Sequence, residues 1–338
     1  MARGHQIAIA CPAQSTIYKV AQQVGVEAIA LPIHRKSPRG MLAVLRLLGV
    51  RRCDVINTHS STDSWLVSLA SRAMNSRPRI LRTRHLSTPV SNNVWTRWLY
   101  HKGSDFLVTT GEKLRQSLHT INGVPLEKMR SVPTGVDINR FTAAEDPAAA
   151  KARMGLPAGK AIVGILGTIR SWKGHEFLID AAVRLNRDDV HLLFVGDGPY
   201  RGNVEAALDR CGLRSHVTMP GNQEDVVPWL QAMDICVLPS YAHEGVPQSL
   251  IQAMLCHSAV ISTPVGSIEE LVRHEETGLI VPPRDSVRLS QAIARLLDDV
   301  ACREQLADKA LVYAREHCSL EQMLDEMESI FQFICGAA

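Results

Sequence analysis

At 338 residues the chain is too long for one ordinary domain and suits two. Its apolar fraction of 46% and mean hydropathy of −0.01 predict a globular product, and no run approaches the 18 apolar residues that a membrane-spanning helix needs. The net charge of +3 conceals a split: residues 1–141 carry 20 Lys and Arg against 7 Asp and Glu, and the remainder carries 17 against 27.

The opening, Met1 to His5, has no signal-peptide pattern. Short β-rich apolar runs then alternate with helical stretches. In the front half the strand candidates are residues 6–10, 28–31, 55–58, 80–83, 106–109 and 130–132. Residues 141–158 are rich in Ala, Asp and Pro and read as a linker plus the opening helix of a second unit. In the rear half the candidates are residues 162–166, 192–195, 217–219, 235–238, 260–262 and 279–281, and residues 320–333 read as an amphipathic helix. Such alternation predicts an α/β protein with parallel sheets covered on both faces. Two series of it predict two Rossmann-like domains, residues 1–141 and 142–338.

The eight cysteines form no Cys-x-x-Cys pair, and several, such as Cys236 and Cys335, lie in apolar runs. They read as reduced thiols rather than a disulfide frame or zinc site, and histidine spacing offers no metal cluster. The basic front half suits an anionic partner. No nucleic-acid motif is present, so an anionic membrane surface or a polyanionic glycan fits better than nucleic acid; a solvated basic surface is the competing account. Residues 34–52 place six Lys and Arg around an apolar stripe, and residues 95–102 set Trp95, Trp98 and Tyr100 beside Arg97 and Lys102. Both could lie on anionic lipid or could pack their apolar faces on the sheet.

The most informative segment is His243-Glu244-Gly245-Val246-Pro247-Gln248-Ser249-Leu250-Ile251-Gln252-Ala253. It follows a buried-strand pattern, and Pro247 is expected at the first helical position, where its missing N–H costs nothing. The free amides of that first turn form an anion site beside Glu244. Gln252 lies about 12 Å further along if the whole stretch rises as helix. After the first rear strand come Arg170, Lys173 and Gly174, a guanidinium fork and a point charge able to neutralise a departing diphosphate. Gly196, after the next strand, supplies a tight turn, and Asp225 falls in the loop after the one that follows. His59 and His85 each close a front-half strand, at the sheet end that faces a ligand crevice.

In this order the motifs resemble retaining glycosyltransferase family 4, of GT-B fold. That family reads Glu, seven residues, Glu, with Gly-x-Pro after the first acid; here Glu244 takes the first place and Gln252 the second. The resemblance implies two Rossmann-like domains facing across a cleft, with a C-terminal helix crossing back onto the first. It implies catalytic roles for His85, Glu244, Arg170 and Lys173, with His85 near the reacting carbon and Glu244 on the donor sugar. Gly174, Gly196, Asp225, Gly245, Val246, Pro247 and Gln252 are implied on the donor side, with Gln252 on the ribose. His59 is expected on the acceptor side. Thr134-Gly135 matches a further family phrase, with Thr for the usual Asn, and is expected to shape the hinge.

Family members open with a strand and a glycine-rich loop that this sequence lacks; it begins at the phrase that follows them. A start placed too late is the favoured account, a truncated product the other. The expected activity is transfer of a sugar from a nucleotide-diphosphate sugar to a hydroxyl of a glycan or glycolipid, as in cell-surface polysaccharide or lipopolysaccharide synthesis. It would proceed with retention, without metal or cofactor, in the cytoplasm or at the inner face of the membrane. The alternatives are a non-catalytic GT-B protein that binds sugar nucleotide and a GT-B epimerase.

Overall fold

The computed structural model describes residues 3–85, 88 and 90–336. In chain order the front part runs β1 (Ala8–Cys11), α1 (Thr16–Gln23), β2 (Glu27–Ala30), α2 (Pro38–Val50), β3 (Val55–Thr58) and α3 (Ser61–Arg72). It continues through β4 (Arg79–Arg84), α4 (Val94–Trp98), a π-turn (Leu99–Gly103), β5 (Phe106–Thr109), α5 (Glu112–Asn122) and β6 (Met129–Ser131). Next come α6 (Pro147–Arg153), β7 (Ala161–Leu166), α7 (His175–Leu185), β8 (Val190–Val195), α8 (Arg201–Arg210), β9 (Val217–Gly221), α9 (Val227–Gln231) and β10 (Ile235–Leu238). The chain closes with α10 (Gln248–Leu255), β11 (Ala259–Ser262), β12 (Leu279–Ile280), α11 (Ser286–Asp298), α12 (Val300–His317) and α13 (Leu320–Gly336).

The rear lobe is one six-stranded sheet in the order β12-β11-β10-β7-β8-β9, with every pair parallel. The order reverses between β7 and β10, and in such a sheet ligands bind beyond the strand ends at that point. β8, β10 and β11 are buried along their whole length, as strands covered by helices on both faces must be.

The front lobe holds two parallel sheets, β1-β2 and β3-β4-β5-β6. Among the described residues no strand pairs with the second edge of β1 or of β3, so this lobe is divided where a Rossmann sheet is continuous. The apolar stripe of α2 packs inward: Val44 and Leu48 are buried with Leu66, Val67 and Ala70 of α3 and with Ile80. That part of the basic 34–52 segment is therefore core.

Helix α13 returns to the front lobe. Its Ile330 and Ile334 are buried against Leu81, Phe106, Val108 and Val132. Arg3 pairs with Glu321, Asp325 and Glu328 of α13, and Arg130 with Glu326. Two backbone bonds mark the crossing: Val136 N donates to Cys318 O, and Leu320 N to Val136 O, both at 2.9 Å. Gly135 is required there, since a Cβ would sit 2.5 Å from Ser319 O. All eight cysteines are free; Cys236 is buried, but Cys335 faces outward on α13, contrary to its apolar sequence setting. No helix among the described residues is long and apolar enough to cross a membrane.

Candidate active site

The loops after β7 and β10 meet front-lobe residues around a cleft of about 650 Å³. From the front come His85, Thr88, Thr110 and Thr134; from the rear come Thr168, Arg170, Trp172, Lys173 and the run His243 to Ser249. Four expected catalytic residues and the expected Gly245, Val246 and Pro247 thus share one space. The two lobes meet at Gly245, where a Cβ would lie 3.0 Å from both His85 O and Thr110 Oγ1.

Glu244 is 5% exposed. Lys173 Nζ lies 2.7 Å from its Oε1, and Ser240 Oγ donates to the same oxygen at 2.6 Å. A buried carboxylate needs such partners. His243 adopts φ 60°, a left-handed conformation uncommon outside glycine, and so turns the chain immediately before Glu244. Pro247 corrects the sequence reading: it is the N-cap of α10 with φ −72° and ψ 118°, and the helix begins at Gln248. An extended ψ one residue before the helix suits a cap, which has not yet entered helical geometry. The first turn, with its amides unpaired within the helix, therefore starts with Gln248 and Ser249, both of which line the cleft.

Arg170 closes the other wall, with its guanidinium 5.5 Å from the Trp172 ring; Trp172 in turn meets His243 edge-on at 5.2 Å. Gly174 follows Lys173 at φ 79°, where a Cβ would strike Pro239 O at 2.2 Å; it packs the β7 loop on the β10 loop rather than lining the cleft. Gly196 does the same between β8 and β7, with φ 134° and a virtual Cβ 2.1 Å from Gly167 O.

His59 stands behind His85. Its Nδ1 is 3.0 Å from His85 Nε2, and the ring planes are nearly parallel at 15°. Desolvation holds both rings below their ordinary pKa, and for His59 the neighbouring His85 adds to this. Asp225 is exposed and paired with Arg140 at 3.1 Å, away from the cleft lining. Gln252 is half-buried on α10, one turn beyond Gln248, and also outside the lining. Sequence reasoning missed Ser240, Trp172, Thr88 and Arg84, whose guanidinium bonds Thr88 and the Tyr100 hydroxyl. A serine four residues before Glu244 was visible as a pattern; the others needed the fold.

Two parallel α/β lobes facing a polar cleft, with the last helix returned to the first lobe, define the GT-B class. The glycosyl transferases group 1 family model matches residues 160–299, and the glycosyltransferase family 4 model matches residues 1–140. The chain belongs to this glycosyltransferase family. It is 30% identical to alpha-D-kanosaminyltransferase of Streptomyces kanamyceticus, over 51% of this chain and 46% of that protein. It is 26% identical to the lipopolysaccharide core biosynthesis mannosyltransferase LpsB of Rhizobium meliloti, over 70% and 68%. The chain spans about half the length of several curated relatives it matches. The fold matches that of Anabaena HepE in complex with UDP and glucose, with a TM-score of 0.86 at 20% identity over 96% of this chain and 91% of that one.

Proposed function

We propose that the protein transfers a sugar, with retention, from a nucleotide-diphosphate donor to a hydroxyl of a glycan or glycolipid. The observation that carries this reading is the convergence of Arg170, Lys173, Glu244 and the start of α10 on one cleft that His85 closes from the opposite lobe. Arg170 and Lys173 take the diphosphate, with the Gln248 and Ser249 amides beside them. Lys173 enters the reaction already oriented by Glu244. As the C1–O bond to phosphate breaks, these groups hold the growing negative charge. The acceptor oxygen bonds to C1, and its proton passes to a departing phosphate oxygen. Glu244 is the one acid among the described residues lining the cleft, and it is ion-paired, which argues against the two-carboxylate route of glycosidases.

The LpsB likeness favours an acceptor of the lipopolysaccharide or cell-surface polysaccharide type, and nucleotide-sugar supply puts the reaction on the cytoplasmic side. Gln252 in place of the family acid favours a second reading, a protein that binds sugar nucleotide without turnover. Calorimetry with UDP, GDP and ADP, followed by donor hydrolysis assays with the matching sugars, separates the two. Absence of binding to all three nucleotides overturns both.

A further inference from the structure

The two basic stretches of the front lobe, far apart in sequence, meet on one face. Lys36 Nζ lies 5.5 Å from the Trp65 ring centroid. Trp65 stacks on Trp98 with centroids 5.6 Å apart and planes at 15°. The Arg72 guanidinium lies 5.6 Å from the Trp98 ring. This cation–ring–ring–cation ladder ties the chain before α2 to α3 and α4. Beside it, within one turn of Trp98, Val94 and Trp95 are 78% and 71% exposed. Exposed Arg39, Arg97 and Lys102 belong to the same segments. Between residues 28 and 104 there are thirteen Lys and Arg against only Asp54 and Asp63. Asp63 is engaged in capping the His59 and Ser60 amides.

We propose that this face docks on an anionic lipid bilayer and so presents the cleft to a lipid-borne acceptor. An exposed indole with one polar N–H suits the headgroup boundary. Lysine and arginine gain there from anionic headgroups. Val94 gains only from an apolar phase, which a phosphate polymer does not offer. Trp95 follows the cleft residue Thr88 by seven residues, a span of at most about 25 Å. The acceptor clause rests on the glycosyltransferase reading; the docking itself does not.

The test is flotation of the full chain with phosphatidylcholine vesicles, with and without phosphatidylglycerol, alongside calorimetry with UDP. Binding is expected only with phosphatidylglycerol, with a blue shift of tryptophan emission. Trp95→Ser should weaken it at least tenfold. Lys36→Glu and Arg97→Glu should each weaken it roughly fivefold or more. None of the three should change nucleotide affinity. Absence of vesicle binding overturns the docking, as does undiminished binding by Trp95→Ser. Binding of soluble heparin that matches vesicle binding and ignores Trp95 also overturns it, in favour of a polyanion groove. Vesicle binding without nucleotide binding leaves the docking standing and removes the acceptor clause.

Discussion

Lys173 Nζ and Glu244 Oε1 lie 2.7 Å apart at the floor of the cleft, joining the loop after β7 to the loop after β10. The pair orients the cation proposed to bind phosphate and keeps a buried acid compensated. Removing one partner therefore has two effects. Lys173→Met should lower turnover at least about 100-fold, through lost charge stabilisation. It should also destabilise the fold by about 2 kcal/mol, below the range for fully buried pairs because the lysine side chain is 18% exposed. Glu244→Gln combined with Lys173→Met should recover much of the stability and none of the activity. Urea denaturation and donor turnover on Lys173→Met, Glu244→Gln and the double variant check this, and additive stability losses would contradict it.

The His59–His85 pair gives a pH dependence. Two neutral imidazoles share one proton between Nδ1 and Nε2; a singly protonated pair keeps the hydrogen bond but gains a buried charge, and the bond fails once both rings are protonated and two N–H groups face each other. Both rings have pKa values lowered from 6.5, so the neutral pair is intact above that pH and is lost as pH falls below it. Turnover per unit KM should drop on the acid side accordingly. In His59→Gln the 59 side chain cannot titrate, and it still bonds His85. Its acid limb should be displaced relative to native protein, whereas a superimposable profile would show that the pair does not matter.

Buried His175 bears on stability rather than turnover. It is 2% exposed and packs edge-on to Phe194, and its Nδ1 has no partner among the described residues. Burial pushes its pKa down to about 3. Because the folded value lies below the ordinary 6.5, the unfolded chain takes up the proton first. Stability is full above about 6.5 and falls with pH toward 3, by on the order of 4 kcal/mol over that window. His175→Phe should flatten this acid limb. Urea midpoints at neutral and mildly acid pH would show it.

Sequence periodicity located the strands well because buried parallel strands are continuous apolar runs. Val55–Thr58, Phe106–Thr109 and Ile235–Leu238 fall where the pattern puts them. That the proposed phosphate-site residues share one cleft was legible for a related reason: they sit in loops that follow such strands, and strand ends converge. What stayed hidden was which side chains pair between remote segments. Nothing local links Lys36 to Trp65, or Ser240 to Lys173 through Glu244. The helical start was misplaced by one residue because proline fits both a cap and a first-turn position, and only ψ tells them apart.

Two glycines offer a contrasted pair of substitutions. Gly174 combines φ 79° with a virtual Cβ 2.2 Å from the Pro239 carbonyl, and backbone cannot yield as a side chain can. Gly174→Ala should cost more than about 2 kcal/mol and disturb Lys173. Gly202 lies in α8 with open space around its Cβ position, so Gly202→Ala should stabilise by about 0.5 kcal/mol. Thermal melts of both variants check the signs.

Glu270 caps a helix of the opposite lobe. Its carboxylate accepts from Glu112 N at 2.8 Å and Lys113 N at 2.9 Å, the first amides of α5. The N-cap of α5 is Gly111, which has no side chain to do this. A residue from the rear lobe therefore supplies a front-lobe helix cap, and the contact exists only while the lobes are docked. Glu270→Ala should lower stability by about 1 kcal/mol. It should leave nucleotide affinity unchanged, because the proposed donor-binding residues belong to the rear lobe, while reducing turnover as the His85 side is held less firmly. Gly111→Ser should fail as a rescue: its Cβ would lie 2.4 Å from Ser267 Cβ, so the lobes would have to separate to admit it. Equal losses of nucleotide binding and turnover in Glu270→Ala would instead mean that the rear lobe itself had been damaged.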